Sequence, residues 1–238
     1  MIFRPAKSRR LWDTWLFPWE GTYHLFFLET QQTLWDHVGH AVSLDIVHWE
    51  VLPSIRTKGA PGEWDEHPTL TGMVVHREGT FYLFVGSTFN GVQVVGIHTS
   101  KDLEHWTPYP ANPVMRPSSP HYLSEPSPPL FDSVDWRDPC ISFNEEDGYY
   151  HALLCARLPI WDHSDTGAAV GHTRSKDLTH WENLAPIATP GAQFYHTEVP
   201  DVFQMGGRYY LAFATISHGA IRLDTATKDA AIWGPSTS

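Results

Sequence analysis

The sequence is poor in cysteine, in methionine and in positive charge. Its 238 residues hold two cysteines, Cys140 and Cys155, and four methionines. Two cysteines without CxxC spacing exclude a disulfide-stapled scaffold and a cysteine-based zinc site, and are expected as reduced thiols. Lys and Arg number 16 against 27 Asp and Glu, a formal net charge of −11. That excess repels phosphate, so neither nucleic acid nor an anionic membrane is an expected partner. No apolar run approaches the roughly 18 residues of a membrane span. The stretch Met1 to Arg10 is basic with no apolar segment behind it. A secretory signal is therefore not expected, and a cytoplasmic protein is. No HExxH-type spacing organises the 15 histidines, so neither a metal nor another cofactor is expected.

What is abundant is aromatic residues and turn formers: 11 Trp, 12 Phe, 9 Tyr, 17 Gly and 19 Pro. This composition suits many short strands joined by turns. It also suits a protein that stacks flat apolar faces, as sugar binders do. The strands are organised by an internal repeat. Ser43-Leu-Asp-Ile-Val-His-Trp49 returns as Ser100-Lys-Asp-Leu-Glu-His-Trp106 and Ser175-Lys-Asp-Leu-Thr-His-Trp181, with a degenerate copy at Thr227 to Trp233. Upstream of each lies a turn glycine and an aromatic strand, beginning at Gly21, Gly79, Gly148 and Gly207. Between the two is a short Gly/Ala/Val segment, and before each aromatic strand stands one further segment: Leu11–Pro18, Thr69–Val75, Trp136–Phe143 and Thr197–Gln204. Four four-part units predict an all-β propeller of four-stranded blades. They are read as a single domain over 1–238, with blades at about 11–54, 66–110, 134–186 and 195–236. The Ser-x-Asp-x-x-His-Trp copies are read as the outer strand, and the Pro/Ser-rich stretch 116–132 as an insertion shaping a pocket.

The first strand of a blade lines the axis, so its polar residues converge. Three of the four segments place an acid there: Asp13, Asp138 and Glu198. Carboxylates are poor strand formers and costly to bury unpaired, so their recurrence points to a working cluster. Two carboxylates flanking a bond are the apparatus of glycoside hydrolysis, one protonated and one ionised. Like charges a few ångströms apart push one pKa up and supply that asymmetry. Glu198, with the longer arm and neutral sequence neighbours, is the candidate acid; Asp13 is the candidate nucleophile or base. Asp138, beside Arg137, would stay ionised and hold sugar hydroxyls. Candidates for substrate binding are Trp12 and Trp64 by stacking, Arg137, and His196, two residues before Glu198 on the same side of a strand. Trp15, Trp35 and Trp136 are further stacking candidates.

These segments resemble glycoside hydrolase family 32, the invertase, levanase and inulinase group. Trp136-Arg-Asp-Pro139 is like that family's Arg-Asp-Pro motif, and Glu198-Val-Pro-Asp201 is like its Glu-Cys-Pro-Asp motif, with Val199 in place of Cys. Gly39-His-Ala-Val-Ser-Leu-Asp-Ile-Val-His-Trp-Glu50 is like its first-blade signature. The resemblance implies a five-bladed propeller. It also implies a transition-state stabiliser at Asp138, an acid/base at Glu198, a nucleophile at Asp13, a retaining mechanism and a fructofuranoside substrate. Two departures stand out. Trp12 replaces the Asn that precedes the family's nucleophile, and Leu70-Thr-Gly-Met73 replaces an aromatic followed by Ser-Gly-Ser. Only four blades are encoded, which reads first as truncation of a five-bladed sequence, with a four-bladed or an oligomeric closure as the alternatives; an incomplete propeller leaves edges unpaired and invites self-association. Two other readings stay open: an inverting arabinosidase or xylosidase of the family 43 type, and a non-catalytic carbohydrate-binding propeller.

Overall fold

A computed structural model describes residues 3, 10–30, 35–128, 133–159, 167–189, 194–217 and 220–227. Among them there is no helix. The strands are β1 (Arg10–Trp19), β2 (Thr22–Thr30), β3 (His37–Ser43), β4 (Glu50–Arg56), β5 (Leu70–Arg77), β6 (Thr80–Phe89), β7 (Val92–Ser100), β8 (Thr107–Pro108), β9 (Trp136–Asn144), β10 (Tyr149–Arg157), β11 (Ala168–Ser175), β12 (Glu182–Ala188), β13 (Glu198–Met205), β14 (Arg208–Ser217) and β15 (Ala220–Thr227). They form antiparallel sheets in strict sequence order, β1-β2-β3-β4, β5-β6-β7-β8, β9-β10-β11-β12 and β13-β14-β15. Each is a meander of the propeller-blade type, and the all-β propeller class expected from the repeats holds. The degenerate fourth copy of the Ser-x-Asp repeat lies, beyond Thr227, outside the described residues.

The chain is built as two compact units, one of residues 1–89 with 96–113, the other of 90–95 with 114–238. The first unit is held by Phe26, Leu28, Val38, Ile55, Val74, Phe81, Leu83, Val85 and Leu103. The second has Leu153 and Val170 of the third sheet packed on Leu211 and Phe213 of the fourth. Each such side chain contributes roughly 1.5–3 kcal/mol by leaving water.

The Ser-x-Asp-x-x-His-Trp repeat is a turn and not the outer strand. Ser43 Oγ accepts from the amides of Asp45 (3.1 Å) and Ile46 (2.9 Å). Asp45 Oδ1 accepts from the amides of Val47 and His48, Oδ2 lies 2.7 Å from His48 Nδ1, and Trp49 Nε1 donates to the Ile46 carbonyl. The same bonds recur from Ser100 to Trp106 and from Ser175 to Trp181. The central residues Ile46, Leu103 and Leu178 take φ of 64°, 65° and 70°. The side chains of Ser and Asp thus replace the backbone bonds that a strand would have used. Amide donors, first that of His48 or His105, hold the Asp45 and Asp102 carboxyls well below the usual range. The outer strands β4, β8 and β12 begin after each tryptophan. The insertion before β9 is pinned to the third sheet: the Tyr122 hydroxyl donates to the Leu184 carbonyl (2.6 Å) and accepts from the His172 amide (2.9 Å).

Buried histidines make this fold acid-sensitive. His40 is 1% exposed and stacks on Phe26 at 4.4 Å. Burial, and then the neighbouring His24, hold its imidazole down at about 3. Burial alone holds His98 at about 4. Both rings take up a proton on unfolding below about pH 6.5, the value for an exposed histidine. Their contribution is therefore complete above that pH and is lost as pH falls toward the folded values. At pH 5 the loss is on the order of 2 kcal/mol per histidine relative to pH 8. Denaturant midpoints recorded between pH 8 and pH 5 check this, and His40→Gln is expected to flatten the profile.

Candidate active site

Each of the four first strands is broken by one extra residue. In β1, Trp12 and Asp13 stand opposite the single residue between Phe27 and Glu29. In β5, Thr71 is extra between the Leu70–Gly86 and Gly72–Val85 pairs. In β9, Asp138 and Pro139 are inserted between Arg137, paired with Cys155, and Cys140, paired with Leu153. In β13, Val199 and Pro200 are inserted between Glu198, paired with Ala214, and Asp201, paired with Ala212. Proline cannot donate to a ladder, so Pro139 and Pro200 are at home in a bulge. Asp138 and Val199 have φ of 58° and 47°. Asp tolerates this region; a β-branched Val is strained there by about 1–3 kcal/mol. Gly72 is required at the second bulge, where a Cβ would lie 2.2 Å from the Phe84 carbonyl oxygen.

In the first unit the bulges are tied together by Thr71, whose Oγ1 donates to Asp13 Oδ2. Trp12 is 62% exposed and stacks on Trp35 at 6.1 Å and 29°. Trp64 is packed inward against the core of this unit, its ring filling the space above Gly96, where a Cβ would come within 2.3 Å of it.

In the second unit Arg137 bridges the third and fourth sheets. Nη2 donates to Glu198 Oε1 (2.7 Å) and Nη1 donates to Asp135 Oδ1 (2.6 Å) and Gln93 Oε1 (2.8 Å). Nε lies 3.5 Å from Asp138 Oδ2, and that oxygen accepts the Val199 amide at 3.1 Å. Glu198, neutral in its sequence neighbours, thus has a guanidinium as its neighbour in space. The guanidinium is spent on protein groups, which makes Arg137 a bridge between acids. His196 lies just before β13 with Nδ1 3.1 Å from Asp135 Oδ2. After the bulges, Cys140 Sγ approaches Asp201 Oδ1 at 3.6 Å, and burial pushes its thiol up to about 12.

Asp135 and Arg157 escaped sequence reasoning. Arg157, 1% exposed, donates Nε (3.0 Å) and Nη2 (2.6 Å) to Asp135 Oδ2, and Nη2 also reaches the Tyr195 carbonyl (2.9 Å). Burial opposes the charge of Asp135. The hydrogen bond from His196 and the charges of Arg137, His196 and Arg157 outweigh it and hold the carboxyl well below its usual range. A signal for Asp135 existed: alternate residues of a strand share a face, which sets it beside Arg137. Asp135, Cys155 and His196 bring ligand-type atoms within 4.8 Å of one another. Two guanidiniums already surround that carboxylate, and burial pushes the Cys155 thiol up, so the charge balance opposes a cation.

The family described as "Glycosyl hydrolases family 32 N-terminal domain" matches residues 14–235. Acid β-fructofuranosidase 1, vacuolar, of Rosa hybrid cultivar is 28% identical over 212 residues, 76% of this chain and 32% of that protein. Fructan 1-exohydrolase IIa from Cichorium intybus is similar in structure at a TM-score of 0.73 and 20% identity, covering 95% of this chain and 43% of that one. A thermostable family-43 glycoside hydrolase is similar at 0.63 and 15% identity, covering 96% and 72%. At these identities the structural likenesses show the fold. The chain spans about a third of the length of the curated relative. The expectation of a cytoplasmic protein is overturned: the Rosa relative is named vacuolar, as is one from Arabidopsis thaliana. That expectation rested on the first ten residues alone, and these carry no information on location in a chain matching only part of its relatives.

Proposed function

Because the chain belongs to glycosyl hydrolase family 32, we propose that it is the carboxylate-bearing part of a glycosidase that cleaves fructofuranosides with retention. The observation that carries this reading is the Arg137 bridge, which holds Glu198 Oε1 at 2.7 Å while Asp138 is set by its bulge and the Val199 amide. Asp13 attacks the anomeric carbon as the bond to the leaving oxygen breaks, and a proton from Glu198 Oε2 goes to that oxygen. Glu198 then takes a proton from the water that cleaves the fructosyl–Asp13 ester and frees Asp13. Asp138 faces the sugar hydroxyls. Thr71 orients Asp13 through its hydroxyl. The Trp12 face, exposed at 62%, offers stacking. Arg137 and His196 act on the sugar indirectly, by holding Glu198 and Asp135.

The test is a substrate panel of sucrose, an aryl arabinofuranoside and an aryl xyloside, with product sugars quantified by chromatography. Fructose release from sucrose, lost in Asp13→Asn, is expected. Cleavage of the arabinoside or xyloside in its place would favour the inverting reading. Binding without cleavage, indifferent to Asp13→Asn, would leave a carbohydrate-binding propeller.

A further inference from the structure

We propose that the first and fourth sheets carry the two halves of a face-to-face interface through which copies of this chain associate head to tail. Alternate residues of a strand point to opposite faces, so each sheet has a front and a back. In the first sheet the front carries Trp15, Phe17 and Phe26, which pack on the second sheet. The back carries the residues between them, Leu16, Tyr23, Leu25 and Phe27.

Both units use one design, the front of a sheet against the back of the next. In the first unit Phe17 and Trp19 meet Phe81 edge-on, at 6.0 and 5.2 Å, and Phe26 packs with Leu83 and Val85. In the second unit Leu153 and Val170 meet Leu211 and Phe213. The turn glycines Gly21, Gly79, Gly148 and Gly207 give the common register. Counted from its own glycine, Leu211 stands where Leu83 does, Phe213 where Val85 does, and Leu153 where Phe26 does. The two interfaces are therefore made by equivalent positions.

One back and one front of this design are open. On the back of the first sheet the apolar row Leu16, Leu25, Ala41 and Val51 crosses all four strands, and Leu16 and Val51 at its ends are exposed. Val74, at the place of Leu16 in the second sheet, is buried. The turn residue Ile46 is 50% exposed, whereas its equivalent Leu103 is 2% exposed. Phe3 caps one end of this back, against Phe27 at 5.5 Å and Trp49 at 5.9 Å. On the front of the fourth sheet Phe203 and Met205 are exposed. They pair with Tyr210 and Arg208 as Phe17 and Trp19 pair with His24 and Thr22, so they hold the positions that grip Phe81 in the first unit. Phe203 is stacked on Tyr210 at 5.5 Å, which fixes its ring. The two open halves complement each other: Phe203 and Met205 of one copy seat on Tyr23 of the next, the residue at the place of Phe81. None of these residues is charged, so the net charge of −11 sets no carboxylate between the faces. Contiguous exposed apolar surface marks an interaction site, and two different surfaces that fit each other make a heterologous contact.

The experiment is sedimentation velocity on the whole chain from about 1 to 100 µM, a range that spans micromolar dissociation constants. The unmodified chain is expected to rise to the mass of two chains or more. Leu16→Lys blocks the first-sheet half and Phe203→Lys the fourth-sheet half. Each variant alone is expected to keep the mass of one chain throughout. Their equimolar mixture is expected to return to the mass of two, because each keeps the half that the other lacks. Both substitutions add positive charge, so the restored contact is not an ion pair. Circular dichroism and the denaturant midpoint of each variant are expected to match the parent, as for other substitutions at exposed positions. A single-chain mass for the unmodified chain at every concentration overturns the proposal, whether the faces meet within one copy or another segment covers them. Assembly that survives either substitution, or a mixture of the folded variants that stays at the mass of one chain, overturns it as well.

Discussion

Glu198→Gln is expected to lower kcat for fructose release by about 10³-fold, within the 10²–10⁴ supplied by a positioned proton donor, with KM little changed. The amide keeps the size of the side chain, and its oxygen still accepts from Arg137 Nη2, the bond that measures 2.7 Å to Glu198 Oε1. On the proposed reading it loses the exchangeable proton at the other oxygen, needed first by the leaving group and then to activate water. Sugar binding does not use that proton, which is why the loss falls on kcat. Glu198 is about a third exposed, so replacing its ion pair costs little stability, on the order of 1 kcal/mol or less. The measurement is steady-state kinetics on sucrose with an unfolding curve beside it. A variant retaining more than a tenth of the activity, correctly folded, removes Glu198 from the acid role.

Asp135→Asn is expected to cost about 3–5 kcal/mol of stability, the range for breaking a buried charge pair from one side. The side chains of Asp135, Arg157 and Arg137 are 4%, 1% and 9% exposed. The Asp135 carboxylate accepts from both guanidiniums and faces His196. An amide of the same shape keeps one acceptor, but turns an NH2 group toward a cation and leaves two buried positive charges short of a counter-charge. Because folding depresses the Asp135 pKa, its contribution is complete above the unfolded value of about 4 and is lost as pH falls below it. The expected result is a lower denaturant midpoint at pH 7 and a smaller difference between variant and parent near pH 3. A loss under 1 kcal/mol at neutral pH would mean that the arginines are satisfied without Asp135. The two substitutions separate roles that meet on the one guanidinium of Arg137, one expected to act on turnover and the other on the frame that presents Glu198.

The sheets were legible because their signals are local. A turn glycine before an aromatic run marks β2, β6, β10 and β14, and four repeats of that order specify four meanders. The Ser-x-Asp-x-x-His-Trp element was equally visible, yet its meaning was not. Its alternation suits a strand until the Ser and Asp side chains are allowed to take the amides, as Ser43 and Asp45 do. Three of the candidate acids were found because acids on first strands are unfavourable unless used. The bulges that hold them were only half visible, through Pro139 and Pro200 and, in Leu70-Thr-Gly-Met73, through Gly72; nothing local announced that Thr71 would reach Asp13.

By itself the sequence determined the all-β repeat, the family and the places of Asp13, Asp138 and Glu198 on first strands, because period, turn chemistry and short motifs are read within ten residues or so. Only the tertiary structure decided what Arg137 does. Its partners Gln93 and Glu198 are 44 and 61 residues away in the chain, and a contact across that distance leaves no mark on local pattern. The same holds for the Arg157–Asp135 pair, 22 residues apart, and for Trp64, whose ring turns to the core because Gly96 leaves room for it. Burial and pairing are properties of neighbours in space, and the chain acquires those neighbours only when the sheets pack.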